Sequence, residues 1–179
     1  MKLKEQYNKQ IIPKLKEKFG YKNNLEAPKL TKVVLNVGVG RHTKDKQYID
    51  SIVHSITRVT GQKPVLTKAR KSISSFKIRE GNIVGISVIL RGKRMYDFVE
   101  KLINITFPRV RDFRGISPKG IDRNGNMTIG IKEHLAFPEI KADEVDNIFG
   151  LEICLTTTAR SREEGLELFT LMGFPFKKI

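Results

Sequence analysis

The chain has 179 residues, of which 34 are Lys or Arg and 19 Asp or Glu, so its formal net charge is +15. A field of that size attracts polyanions and exceeds what solubility alone requires, which points first to nucleic acid. Cys154 is the only cysteine, which excludes an intrachain disulfide, and His42, His54 and His134 stand at no zinc-type spacing, so no metal site is expected.

The opening MKLKEQYNKQ is too polar for a signal peptide, and no apolar run reaches the length of a membrane span. A soluble, intracellular protein with no membrane partner is expected. Leu3, Tyr7, Ile11, Leu15 and Phe19 recur every fourth residue between lysines, the stripe of an amphipathic helix that Gly20 ends and Pro13 is expected to kink. After a loop through Pro28, the stretch TKVVLNVGVG, Thr31 to Gly40, reads as a strand with Val33, Leu35, Val37 and Val39 on one face. Asn36 falls on the other face, in line with Val34 and Gly38, so an amide projects from mid-strand beside a glycine that lets another backbone approach. It bonds a neighbouring loop or it meets a ligand.

Thr43 or Asp45 caps a second helix, whose stripe is Ile49, Ile52, Val53, Ile56 and Val59, with His54 beside it at the surface and Gly61 at its end. Pro64 to Thr67 is a short strand leading into KARKSISSFKIREG, Lys68 to Gly81. From Arg58 to Arg79 there are seven basic residues and no acidic one. Ile86, Val88 and Leu90 alternate with Ser87, Ile89 and Arg91 in a half-buried strand. A helix follows from Gly92 with Met95, Phe98, Val99, Leu102 and Ile103, and is expected to stop at Pro108. The arginine-rich connection from Arg109 ends in an Asn124-Gly125 turn, after which Met127, Ile129 and Ile131 return as a strand. The next connection, Glu133 to Gly150, is acidic. Leu151, Ile153, Leu155 and Thr157 form the last strand, and Ser161 with Glu164 makes the capping box of a final helix carrying Leu168, Phe169, Leu171 and Met172. With no repeat or composition break, this order predicts one α+β domain over 1–179, an antiparallel sheet with helices mainly on one face and the other face left for a partner.

Gly38-Val39-Gly40 begins like a dinucleotide fingerprint, but Thr43 stands where the third glycine belongs, and no GxxxxGK[ST] loop occurs. Ser72, Ser74, Ser75 and Cys154 lack a nearby base, so no catalytic residue and no cofactor is expected. An enzyme would have to show saturable nucleotide binding near Gly38.

Binding uses more of the chain. Gln62, followed by Lys63 and Pro64, is a second amide that the helix–turn–strand connection brings towards Asn36, unless it serves only as a helix cap. Amides beside basic residues read base edges, sugar hydroxyls or phosphates. Lys68, Arg70, Lys71, Lys77 and Arg79, in a loop with Ser72 and Phe76, make a mobile basic finger that is either solvated or set against nucleic acid. No helix concentrates basic side chains for a DNA groove and no strand carries an aromatic pair, which leaves shape, backbone and hydroxyl contacts on a folded RNA. The acidic connection faces solvent or a basic protein. A regulator acting on its own messenger RNA would need the same surface.

The stretches VLNVGVG, TGQKP, ARKSISSFKIREG, LRGKRMYDF, FPRVRDFRGISPKG, GNMTIGIKEHLAFPEI and LMGFPF, in that order over nearly the whole chain, resemble the universal fifth protein of the large ribosomal subunit, the family that binds 5S ribosomal RNA, in its bacterial form. The resemblance implies a five-stranded antiparallel sheet with helices, an elaborated RNA-recognition-like topology. It implies a cytoplasmic, ribosomal protein of the central protuberance, in contact with 5S rRNA, neighbouring large-subunit rRNA and other 5S-binding ribosomal proteins. The family positions matching Asn36 and Gln62 contact 5S RNA, and the rRNA site expected from them is Asn36, Gln62, Lys63 and Arg91. The family strand VTLRG reads VILRG here, so Ile89 replaces a threonine hydroxyl. The family loop matching Ala69 to Gly81 reaches the elbow of P-site tRNA, which assigns Lys68, Arg70, Lys71, Ser72, Phe76 and Lys77 to that contact. The family also bridges to a basic protein of the small-subunit head, a contact that charge places on Glu139, Asp143, Glu144 and Asp146.

Overall fold

The computed structural model describes residues 2–42, 45–141 and 147–177. The first helical run is α1 (Leu3–Gln6), a π-helical segment (Tyr7–Ile11) and α2 (Ile12–Phe19), with Leu3, Tyr7, Ile11 and Leu15 buried. The break expected at Pro13 takes the form of that π turn. The Ile12 N–H reaches back five residues to the Tyr7 carbonyl, so the proline ring enters a turn already widened. The same device recurs at Pro108. There α4 (Gly92–Lys101) passes through a π segment (Leu102–Thr106) into α5 (Phe107–Arg109), and the Phe107 N–H donates to the Leu102 carbonyl. Pro108 lies one residue short of the end of this helical run, which stops at Arg109 before the extended Val110. It sits in the first turn of the next segment, where a missing N–H costs little.

The strands are β1 (Leu30–Gly38), β2 (Val65–Lys68), β3 (Ile83–Leu90), β4 (Met127–Ile131) and β5 (Leu151–Thr157), with α3 (Lys46–Thr60) between β1 and β2 and α6 (Arg162–Leu171) closing the chain. They form one antiparallel sheet in the order β2-β3-β1-β5-β4, the α+β architecture expected. The Asp45 carboxylate caps α3 by accepting the Tyr48 N–H at 3.0 Å, and the alternative cap, Thr43, lies outside the described residues.

By packing, the chain divides into two compact units, residues 1–33, 90–129 and 154–179, and residues 34–89 and 130–153. In the first unit the Asn124-Gly125 turn is locked from its own side chains. Asp122 accepts the N–H groups of Asn124 and Asn126 at 2.9 and 2.8 Å, while the Asn126 amide oxygen accepts the Thr157 N–H at 3.0 Å. Gly125 there has φ +73°, in the left-handed region. Ser161 caps α6 through the Glu164 N–H, but the Glu164 carboxylate takes the Arg160 N–H at 2.7 Å, one residue earlier than a capping box requires.

The second unit has its core between the α3 stripe of Ile49, Ile52, Ile56 and Val59 and the inward rows of the strands, Leu35 and Val37 from β1 and Ile86 and Val88 from β3. Each such side chain contributes about 1.5–3 kcal/mol on burial. His54 is exposed, as its place beside the stripe requires.

The buried His134 of this unit stacks on Phe149 with ring centres 3.8 Å apart, and its Nδ1 accepts the Phe149 N–H at 3.4 Å. Burial holds its pKa below the usual 6.5. The folded chain thus keeps the imidazole neutral where the unfolded chain already protonates it. The stability this confers is present above pH 6.5 and is lost as pH falls from there through the lower, folded value. The midpoint of urea unfolding should fall between about pH 7 and pH 5, and His134→Leu should unfold earlier overall but with a flatter decline across that window. An unchanged slope in the variant would assign the acid sensitivity to other groups.

Candidate nucleic-acid interface

The alternation that buries one face of β1 and of β3 leaves the other bare. On β1 the outward row is Val34, Asn36 and Gly38, and on β3 it is Gly85, Ser87 and Ile89. The β2–β3 register pairs Val65 with Ser87 and Thr67 with Gly85, which puts Val65 and Thr67 on the same side as those rows. A Cβ on Gly85 would stand 2.6 Å from the Thr67 hydroxyl oxygen and 3.4 Å from the Val37 carbonyl, so the missing side chain is what lets Thr67 lie across β3. Val65 is 67% exposed and Ile89 47%, so the polar groups stand on an apolar floor. Among the described residues no partner takes the Asn36 amide, which weighs against the reading of it as an anchor for a loop.

Gln62 follows Gly61, whose φ of +66° ends α3. Its Nε2 donates to the Ile89 carbonyl at 3.2 Å. Pairing with β2 begins only at Val65, opposite Ser87, so Ile89 lies beyond the end of the ladder and the amide takes the carbonyl in place of a strand. Asn36 and Gln62 therefore flank β3 from its two sides, on β1 and on the lead into β2. Lys63 beside Gln62 is exposed. Arg91 is exposed in extended backbone just after β3, and it belongs to the other packing unit.

The basic finger is more ordered than its composition suggests. Beyond a register shift at Thr67/Lys68, the β2–β3 hairpin continues through a bond from the Ala69 N–H to the Asn82 carbonyl at 2.8 Å and a mutual pair between Ile73 and Ile78 at 2.9 and 3.1 Å. A 3-10 turn, Ser74–Phe76, forms the tip, with Lys77 in the left-handed region at φ 53°. The Ser72 hydroxyl accepts the Glu80 N–H at 2.9 Å and so ties the two sides together. This is a hydrogen-bonded extension of the hairpin, with Ile73 and Ile78 paired across it. Lys68, Arg70, Lys71, Lys77 and Arg79 are all exposed, and among the described residues none of them forms an ion pair. Phe76, 70% exposed, and Lys77 line one side of an open cleft of about 1030 Å³, with Gly40, His42 and Tyr48 on another.

Glu139 is half-buried, and the other residues of the acidic group, Asp143, Glu144 and Asp146, lie outside the described residues. Among the described residues no group of three or more His, Cys, Asp or Glu side chains gathers to hold a metal, and no helix is long and apolar enough to cross a membrane. Sequence reading missed the hydroxyls of Thr67 and Ser87 on the bare face. Their period-two spacing with Val65 and Ile89 was the available signal.

A bare, partly apolar sheet face carrying amides and hydroxyls, extended by a hairpin of exposed cations, makes this a basic α+β protein whose field attracts polyanions. Residues 23–79 match the family described as Ribosomal protein L5, and residues 83–176 match the C-terminal region of the same ribosomal protein family. The chain is 53% identical over 176 residues to the large ribosomal subunit protein uL5 of Halothermothrix orenii, covering 98% of each. It is 55% identical over 175 residues to the protein of that name from Desulforapulum autotrophicum, with 98% of each covered, and 52% identical over 177 residues to that of Lacticaseibacillus casei, covering 99% of this chain and 98% of the relative. The chain belongs to the uL5 family of large ribosomal subunit proteins, which are structural components of the ribosome and not enzymes.

Because its amide takes no part in the internal bonding of the described residues, Asn36→Ala should leave folding intact, with a change in unfolding free energy within about 0.5 kcal/mol. Urea denaturation checks this. A loss well above about 1 kcal/mol would restore Asn36 to a structural role.

Proposed function

We propose that this chain binds 5S rRNA with the bare face of β1–β3 and helps to hold it in the central protuberance, against neighbouring large-subunit rRNA and beside the other 5S-binding ribosomal proteins. The observation that carries this reading is the Asn36 amide, unpartnered among the described residues on an open sheet face, in a chain of net charge +15. The cations supply affinity, since each phosphate neutralised releases counterions. Asn36 and Gln62 supply orientation, with Lys63 and Arg91 as phosphate contacts. Ile89 adds apolar contact where the family strand has a hydroxyl.

The basic hairpin is assigned to P-site tRNA through Lys68, Arg70, Lys71, Phe76 and Lys77. Ser72 acts there by holding the hairpin closed. Glu139, with Asp143, Glu144 and Asp146, is assigned to the bridge with a basic protein of the small-subunit head, on grounds of charge complementarity.

The deciding experiment is the affinity for refolded 5S RNA against tRNA and an unrelated duplex across a salt series. A preference for 5S RNA that survives moderate salt is expected, and Asn36→Ala should cost about 1–3 kcal/mol of it. Equal binding to all three RNAs, with release at the same salt, would overturn the assignment. Neutralising Lys68, Arg70 and Lys71 together to alanine should weaken tRNA binding to reconstituted large subunits while leaving 5S affinity within about twofold, as expected for phosphate contacts made elsewhere. A matching loss of 5S affinity would place the hairpin on 5S RNA.

A further inference from the structure

Gln62 has a fixed polarity. The Ile89 carbonyl can only accept, so it is the amide nitrogen, at 3.2 Å, that faces the strand, and among the described residues no donor takes the amide oxygen. Phosphate oxygens only accept as well, and a phosphate placed against that oxygen would be repelled. The groups of an RNA that answer an acceptor are donors, namely the ribose 2′-hydroxyl and the amino groups of the bases.

The aim of the amide depends on Thr60, which is buried at the end of α3. Its hydroxyl accepts the Gln62 N–H at 3.3 Å, and its proton lies between the carbonyls of Ile56 at 2.7 Å and Gln62 at 3.0 Å. Both backbone polar groups of Gln62 are therefore held by one side chain, across the turn in which Gly61 is left-handed. Valine has nearly the shape of threonine and none of these bonds.

We infer that Thr60 is a positioning residue that sets the Gln62 amide so that its oxygen receives a hydrogen bond from a donor group of the bound RNA. This rests on the reading that the bare face binds 5S RNA. Thr60 does not touch the RNA itself. Its part is to hold the only side chain of the turn that can distinguish a donor from a phosphate.

The test compares wild type, Thr60→Val, Thr60→Ser and Gln62→Ala for binding to 5S RNA and to an unrelated duplex at one salt concentration, with thermal melting to verify folding. Thr60→Val should lower 5S affinity about five- to tenfold with no change for the duplex, and Thr60→Ser should restore it. Single-position substitutions in the RNA then locate the donor, with 2′-fluoro sugars removing the hydroxyl and inosine or purine riboside removing base amino groups. One such position should weaken wild-type binding and have no effect on Gln62→Ala. Coupling through 2′-fluoro identifies the sugar and coupling through the base analogue identifies the base. Coupling at no position, or a Thr60→Val loss equal for both RNAs, would overturn the inference while 5S preference in the wild type keeps the broader reading. A wild type with no 5S preference would remove both.

Discussion

The period-two register of β1 is the constraint from which the proposed binding face follows. Val33, Leu35 and Val37 are each at most 3% exposed, and their commitment to the core leaves Asn36 only the outward side. A slip by one residue would expose three apolar side chains worth about 1.5–3 kcal/mol each and bury an amide with no partner. Against a total stability of about 5–15 kcal/mol, such a slip is nearly as costly as unfolding. The hydrophobic effect, which has no directional preference, thereby orients a directional group. The same parity on β3 and β2 places Ser87, Ile89, Val65 and Thr67 beside it.

The ends of the β2–β3 pair show a second constraint, that backbone polar groups must be satisfied. At one end the ladder stops at Val65, and the Gln62 amide completes it at Ile89. At the other end the chain continues through backbone bonds to the Ile73–Ile78 pair, which holds a basic hairpin in one shape. Like charges on a disordered loop would have to be ordered on binding, at roughly 1–2 kcal/mol of backbone entropy per residue. A hairpin with its own hydrogen bonds has met much of that cost in folding.

The order of elements and the buried rows of β1, β3, β4 and β5 were legible in the sequence, because apolar alternation reports a face directly. Asn36 could be picked out for the same reason, and Gln62 by its place after the helix, before Lys63 and Pro64. Their bonding could not. That Gln62 reaches Ile89 depends on where β2 begins to pair, a fact of register between two segments and not of either alone. The π turns beside the prolines were hidden for a different reason. Pro13 and Pro108 forbid a hydrogen bond of α-helical spacing, yet Ile11 and Leu15 on one helix and Leu102 and Phe107 on the other must stay buried in the same core. A π turn satisfies both demands, since it shifts the bond by one residue without turning the apolar stripe away. The hydrogen bonding of the basic finger was written in Ile73 and Ile78, but a pair of isoleucines among five cations is outweighed in any reading by composition.

In the proposed binding, charge and geometry divide the work of recognition. A net charge of +15 draws any RNA equally, because phosphates are the same on every sequence. Discrimination has to come from the few groups whose direction is fixed, and the floor on which they stand makes those groups count for more. With Val65 and Ile89 exposed around them, an RNA that seats on this face excludes water from the amides. A hydrogen bond is stronger in such surroundings, and an unmade one is costlier, at about 1–3 kcal/mol for each buried polar group left without a partner. In the proposed binding, Ile89 in place of a hydroxyl offers one polar contact fewer and at the same time sharpens the penalty for misplacing those that remain. The face selects as much by what it refuses as by what it binds.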